Sequence, residues 1–350
     1  MGLPLKLRFW WLYPNPISRN NFSILKWGLT QIFGKIKDAF FIVQTSEIED
    51  RRKVYRKYDE LVADGKADSP MVALVEEMVA TDITEALWAE GIRVFPPVIF
   101  KAWRPPSVLV ISKRKKIKNI SPSLLLQPGL TAEQREEIER FVEKQNPSLR
   151  AYVPDLGGIA VFPPIVHLYP AQLLIEVAAH EWGHTHLVFF PLGFYYLWGK
   201  GEVASINEIA CSILGREIIR RVRAKYGWAE ERATPAEATR PDYGKTIHGI
   251  RQEMDRLLAL GKVEEAEEFL RESADSLRQT WEIRKLNQAY FAFHGKYGGG
   301  AGGDDPTARQ LRELRQKAGS LKNFLKLIRG IWSRKRFEEI LAENGIKPST

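Results

Sequence analysis

The chain has 350 residues, 44% hydrophobic and 27% charged, which fits a folded globular protein of one large or two ordinary domains and excludes collagen-like and wholly disordered classes. Its single cysteine, Cys211, excludes an internal disulfide framework and leans toward a reducing compartment. With 52 Lys and Arg against 43 Asp and Glu the net charge is +9, so anionic surfaces are the favoured partners.

Residues 1–45 form a basic, aromatic segment, in which Lys6, Arg8, Arg19, Lys26, Lys35 and Lys37 accompany Phe9, Trp10, Trp11 and Tyr13. It has no apolar core followed by a small-residue cleavage site, and no run of ~18 apolar residues occurs anywhere in the chain. A cytoplasmic protein is expected, with an anionic membrane face as a candidate peripheral contact. Two further basic clusters are Lys113 to Lys118 and a helix-like stretch from Leu321 to Arg336, whose Leu321, Phe324, Leu325, Ile328 and Trp332 share one helical face. No nucleic-acid partner is expected, because no finger, RNA-recognition or helix-turn-helix signature accompanies the charge.

Residues 46–95 read as helical, with a break from Gly65 to Pro70. Residues 96–190 read as mixed α and β: strands over Ser107 to Ser112, Leu124 to Gln127, Ala151 to Val153 and Gly157 to Phe162, with a helix starting behind the capping box Thr131 to Gln134. Residues 191–350 read as helix, with long candidates over Glu202 to Tyr226, Asp242 to Leu260 and Val263 to Phe293. Leu187 to Gly199 reads as buried core or an interfacial surface. The expected fold class is therefore α+β, a small mixed sheet packed on the helix from Ala171 to Phe190, followed by a large helical C-terminal part.

That helix carries His180-Glu181-Trp182-Gly183-His184. Residues four apart lie within ~40° on a helix, so both imidazoles can reach one metal ion, while Glu181 can approach a metal-activated water without being a ligand. Catalytic zinc commonly takes three protein ligands. His186 points ~200° away from His184, and Leu187 and Phe190 occupy the positions where the metzincin pattern needs Gly and His. Glu208, on the next helix, is the better third candidate.

His180 to His184 followed by Asn207-Glu208-Ile209-Ala210 resembles the gluzincin group of zincin metallopeptidases, in which a glutamate is the third zinc ligand. The stretch from Arg284 to Tyr297 resembles the C-terminal segment of bacterial proteins described as predicted aminopeptidases. The resemblance implies a zincin-like fold with an edge strand, Gly157, Gly158, Ile159 and Ala160, that pairs with an extended peptide. It implies one zinc per chain on His180, His184 and Glu208, Glu181 as general base, and Tyr297 or His294 as oxyanion donor. Thermolysin-like members carry an aspartate where this chain has Ser212. The expected function is a zinc-dependent peptidase acting on peptide or protein substrates; the alternative is a catalytically silent zincin-like domain that binds a protein or an anionic membrane surface.

Overall fold

The computed structural model describes residues 14–23, 50–66, 69–120, 124–159, 163–197, 201–229, 243–281, 283–294 and 306–347. The fold is mixed α+β, mainly helical. The chain folds into two compact units, each assembled from three separated segments: Met1–Ser23, Pro106–Leu156 and Ala233–Asp305 in one; Ile24–Pro105, Gly157–Arg232 and Pro306–Thr350 in the other. This interleaving cuts across the consecutive divisions expected at residues 45, 95 and 190.

In the first unit the central strand is β2 (Ser107–Lys113), which pairs antiparallel with β3 (Lys116–Asn119), β4 (Leu124–Leu126) and β5 (Leu149–Tyr152). Its Val-Leu-Val-Ile run is apolar on both faces because both are covered. Leu109 and Ile111 join Ile138 and Val142 of helix α4 (Ala132–Gln145). Val110 packs on Ala289 and Ala292 of α10 (Gln288–His294). The capping box forms: Gln134 N donates to Thr131 Oγ1, and Thr131 N donates to Gln134 Oε1. Helices α8 (Tyr243–Ala259) and α9 (Val263–Trp281) pack against each other through Ile247, Met254, Ala266 and Leu270.

The expected helix from Val263 to Phe293 is two helices, because residues 283–286 direct their polar groups elsewhere. Arg284 and Lys285 reach Glu139 on α4, at 2.5 and 3.2 Å. Asn287 donates to Ala151 O of β5 at 2.8 Å and accepts from Tyr290 N at 2.8 Å, which starts α10 afresh.

The second unit is built on α5 (Ala171–Leu187) and α7 (Gly201–Tyr226), with α2 (Arg51–Ala63) and α3 (Ser69–Ala89) in the same core. Asp59 of α2 caps α5 by accepting from Ala171 N at 2.6 Å. A three-stranded sheet has the order β1 (Lys101–Ala102), β7 (Ile165–Val166), β6 (Gly158–Ile159), which puts β6 at an edge. Helices α11 (Pro306–Lys317), α12 (Leu321–Ile328) and α13 (Arg334–Glu343) close this core.

The expected single helix from Leu321 to Arg336 ends at Ile328, and α13 restarts behind Ser333, which accepts from Arg336 N. Leu321, Phe324, Leu325 and Ile328 are buried in this unit's own core, whereas Trp332 falls after the break and is 47% exposed. That apolar face is therefore covered by protein. Among the described residues no helix is long and apolar enough to cross a membrane.

Candidate metal centre

Four pairs of residues set the register of α5 against α7: His184 beside Glu208, His180 beside Ser212, Glu176 beside Gly215, and Gln172 bonded to Arg223. The helices thus run antiparallel. They come close because two glycines stand at the contact. A Cβ on Gly183 would sit 2.9 Å from the Leu214 side chain and 3.0 Å from Cys211 Sγ, and one on Gly215 would sit 2.6 Å from Glu176 O. This close approach lets the short arm of Glu208 reach the two histidines.

His180 Nε2 and His184 Nε2 are 3.0 Å apart, and Glu208 Oε2 is 3.5 Å from each. The centre of such a triangle is about 1.9 Å from its corners, close to the ~2.0–2.2 Å that zinc keeps from imidazole nitrogen and carboxylate oxygen. Donor type agrees with the distances. His184 Nδ1 lies 2.5 Å from Asn207 Oδ1, an acceptor, so Nδ1 carries a proton and Nε2 is the nitrogen left to face a metal ion. Burial opposes ionisation of Glu208, but the two imidazoles and their hydrogen bonds outweigh it and hold the carboxyl well below its usual range. His180, His184 and Glu208 can therefore hold a metal ion. His180 keeps 18% of its side chain exposed, which leaves the centre open on that side.

Several neighbours had no assigned role in the sequence. Tyr196, on α6 (Pro191–Leu197), donates to Glu208 Oε1 at 2.6 Å and stacks on the His184 ring, 5.2 Å between centroids. Ser212 donates to Glu208 O at 2.9 Å, with its oxygen 3.4 Å from His180 Nδ1. Asn207 precedes the ligand glutamate, so an Asn-Glu pair one step apart on a helix was a usable signal. For Tyr196 there was none, since its approach depends on the turn from α5 into α6. There Gly193 packs on the Leu187 backbone, where a Cβ would stand 2.2 Å from Leu187 C.

Glu181 is buried, and burial raises its pKa while the two histidines pull it down. A Cβ on Gly158 would overlap the Glu181 carboxylate, so strand β6 passes directly over it because residue 158 is glycine. Gly158 and Ile159 pair with Val166 and Ile165 on one side of the strand. Gly157 accepts from His167 N at 3.0 Å and lies against the Tyr169 hydroxyl. His186 points away, as expected: its Nδ1 meets Phe95 O at 2.6 Å and its ring stacks on Trp182.

His294 belongs to the first unit, where it packs on Tyr290 and Tyr152, and burial pushes its pKa down to about 4, leaving a neutral imidazole. Ala160 and Tyr297 lie outside the described residues. No family model, curated protein or solved structure matches the chain.

Proposed function

We propose that this protein is a zinc-dependent peptidase with a zincin-like active site, in which His180, His184 and Glu208 bind the metal and Glu181 is the general base. The observation that carries this reading is that Glu181, next to His180 on α5 and in charge contact with all three metal-binding side chains, holds its carboxylate against Gly158 of edge strand β6. Two imidazoles and one carboxylate form the donor set of a catalytic rather than a closed structural zinc site. Zinc bound there supplies a Lewis acid and a water acidic enough to ionise near neutral pH.

The chain's own groups perform the remaining steps. The edge of β6 that pairs with no other strand among the described residues offers backbone N–H and C=O groups to an extended peptide, which gives affinity with little dependence on side-chain sequence. Gly158 lets that backbone lie against Glu181. The Glu181 carboxylate takes the proton of the attacking water and delivers it to the leaving amine. Its raised pKa suits this shuttle, because a carboxyl nearer neutrality accepts and returns a proton with less free-energy cost. The oxyanion donor implied by the resemblance is Tyr297 or His294.

The test pairs metal analysis with hydrolysis of a mixed peptide library. One zinc per chain and cleavage that is abolished by a chelator and restored by zinc are the expected results. A protein that binds no zinc, or binds it and cleaves no peptide, would remove the proposal.

A further inference from the structure

Three segments of the second unit contain no Asp or Glu: residues 91–105, 186–197 and 320–336. Each contributes exposed side chains, and contacts join them into one surface. His186 meets the Phe95 carbonyl, and the Phe95 and Phe189 rings are 4.9 Å apart. Leu192 N donates to Arg329 O, and the Arg329 guanidinium lies 5.0 Å from the Phe190 ring centre. Lys322 Nζ stands beside Gly91. Phe95 is 53% exposed, Phe189 58% and Leu197 56%. Phe194, in contact with Tyr195, is half exposed, and Arg93, Lys322, Lys326 and Arg329 are exposed as well.

Large aromatic and aliphatic side chains left in water cost free energy, and a cluster of them marks an interaction surface. The chemistry of the cations around them selects the partner. A protein partner would need carboxylates placed singly opposite each cation, whereas an anionic bilayer supplies diffuse negative charge over the whole area and an apolar layer just beneath it. We infer that this protein docks on anionic membranes through the face formed by Phe95, Phe189, Leu197, Lys322, Lys326 and Arg329, all from segments without a carboxylate.

Docking here has a consequence for the metal centre. Helix α6, whose residue Leu192 bonds Arg329 O, exposes Leu197 and, one residue earlier, holds Tyr196 on Glu208. The substrates brought to the centre would then be the extended, membrane-proximal segments of proteins at that surface, a statement that rests on the peptidase reading. The docking itself does not rest on it, and the experiment measures binding without turnover.

The full chain is sedimented with vesicles of phosphatidylcholine, with and without about one-third phosphatidylserine, at low and high salt. Binding to the anionic vesicles alone, weakening with salt, is expected. Lys326→Gln with Arg329→Gln should lower partitioning on the order of 20-fold, from the ~5-fold that each surface cation contributes. Phe189→Ser with Leu197→Ser should lower it on the order of 10-fold or more, with circular dichroism unchanged. Absence of binding by the native protein overturns the inference. So does binding that both variants retain, which would place the lipid contact elsewhere in the chain. Binding lost only in the charge variant overturns it too, because the apolar cluster would then play no part. Self-association of the native protein abolished by Phe189→Ser with Leu197→Ser, without vesicle binding, would make the face a contact between copies.

Discussion

Asp82 and Glu208 are buried carboxylates near opposite ends of α7, and their surroundings differ in kind. Asp82 accepts from the Tyr55 and Tyr226 hydroxyls at 2.7 and 2.8 Å, from Arg51 at 3.1 Å and from Lys225 Nζ at 2.7 Å. Both its oxygens face donors, and two of those donors are cations. Burial and the Asp82 charge both push the Tyr55 phenol up, which keeps it a donor. This carboxylate ties α2, α3 and α7 together. Glu208 has one such partner, Tyr196 on Oε1, while Oε2 faces two imidazole nitrogens. Burial opposes a charge on His184, but Glu208 in turn helps to push its pKa well above the usual value, so the pair is satisfied by a proton that a metal cation can replace. A carboxylate saturated by fixed donors holds a fold together; one that faces two imidazoles, whose protons a metal can displace, can hold a metal.

The strongest way to break this comparison is to separate ligand from base. Glu208→Ala should lose both zinc and hydrolysis. Glu181→Gln should keep one zinc per chain and lose ~10²- to 10⁴-fold in turnover, the range for a positioned general base. Zinc content by atomic absorption and turnover of a cleaved library peptide give the two readings. Zinc loss in Glu181→Gln, or zinc retention in Glu208→Ala, would exchange their roles.

Asp82 should behave oppositely. Asp82→Ala removes the acceptor shared by Arg51, Lys225 and two phenols, of which Lys225 keeps Glu85 at 2.6 Å, and losing one partner from a buried charged network costs ~3–5 kcal/mol. Denaturant unfolding should show that loss, while the protein that remains folded still binds one zinc. If Asp82→Ala removed zinc from folded protein, the contrast with Glu208 would fail.

Tyr196 sharpens the distinction within the site. Its hydroxyl occupies Glu208 Oε1, so Glu208 presents a single oxygen, Oε2, to the metal. Groups that orient metal ligands typically contribute 10- to 100-fold in affinity. Tyr196→Phe should weaken zinc binding by about 10-fold in a competitive chelator titration and leave unfolding of the apoprotein nearly unchanged. An unchanged affinity would reduce the Tyr196 hydroxyl to packing.

How far these roles could be read in advance followed from how local they were. His180, Glu181 and His184 share one helical turn, so spacing alone set their geometry. Glu208 required an antiparallel return of the chain, which a break of about a dozen residues between two helices made the natural expectation. The α4 cap and the β-branched, apolar run of strand β2 were local too. By contrast, the breaks at 283–286 and after Ile328 follow from tertiary demands, the Glu139 and Ala151 contacts of one and the core packing of the other, that no periodicity records. The interleaved units and the approach of Tyr196 depend on segments far apart in sequence meeting in space. Exposure of Phe189 and Leu197, within a run that reads equally as core or as surface, belongs to the same class.

The smallest expected effect lies at Ser212, where the comparison can be moved by degrees. Its hydroxyl already donates to Glu208 O within its own helix at 2.9 Å, and its contact with His180 Nδ1 is long, at 3.4 Å. His180 therefore has a weaker orienting partner than His184, whose Nδ1 has Asn207 at 2.5 Å. Ser212→Ala should cost less than about 3-fold in zinc affinity and gain a few tenths of a kcal/mol in stability, since alanine is the better helix former. Ser212→Asp would place a carboxylate beside His180 Nδ1, fix the proton there and make Nε2 a stronger donor, raising zinc affinity by roughly 3- to 10-fold. Chelator competition at pH 7 measures both. If Ser212→Ala instead costs ~100-fold, the 3.4 Å contact tightens when the metal binds, and Ser212 orients His180 as firmly as Asn207 orients His184.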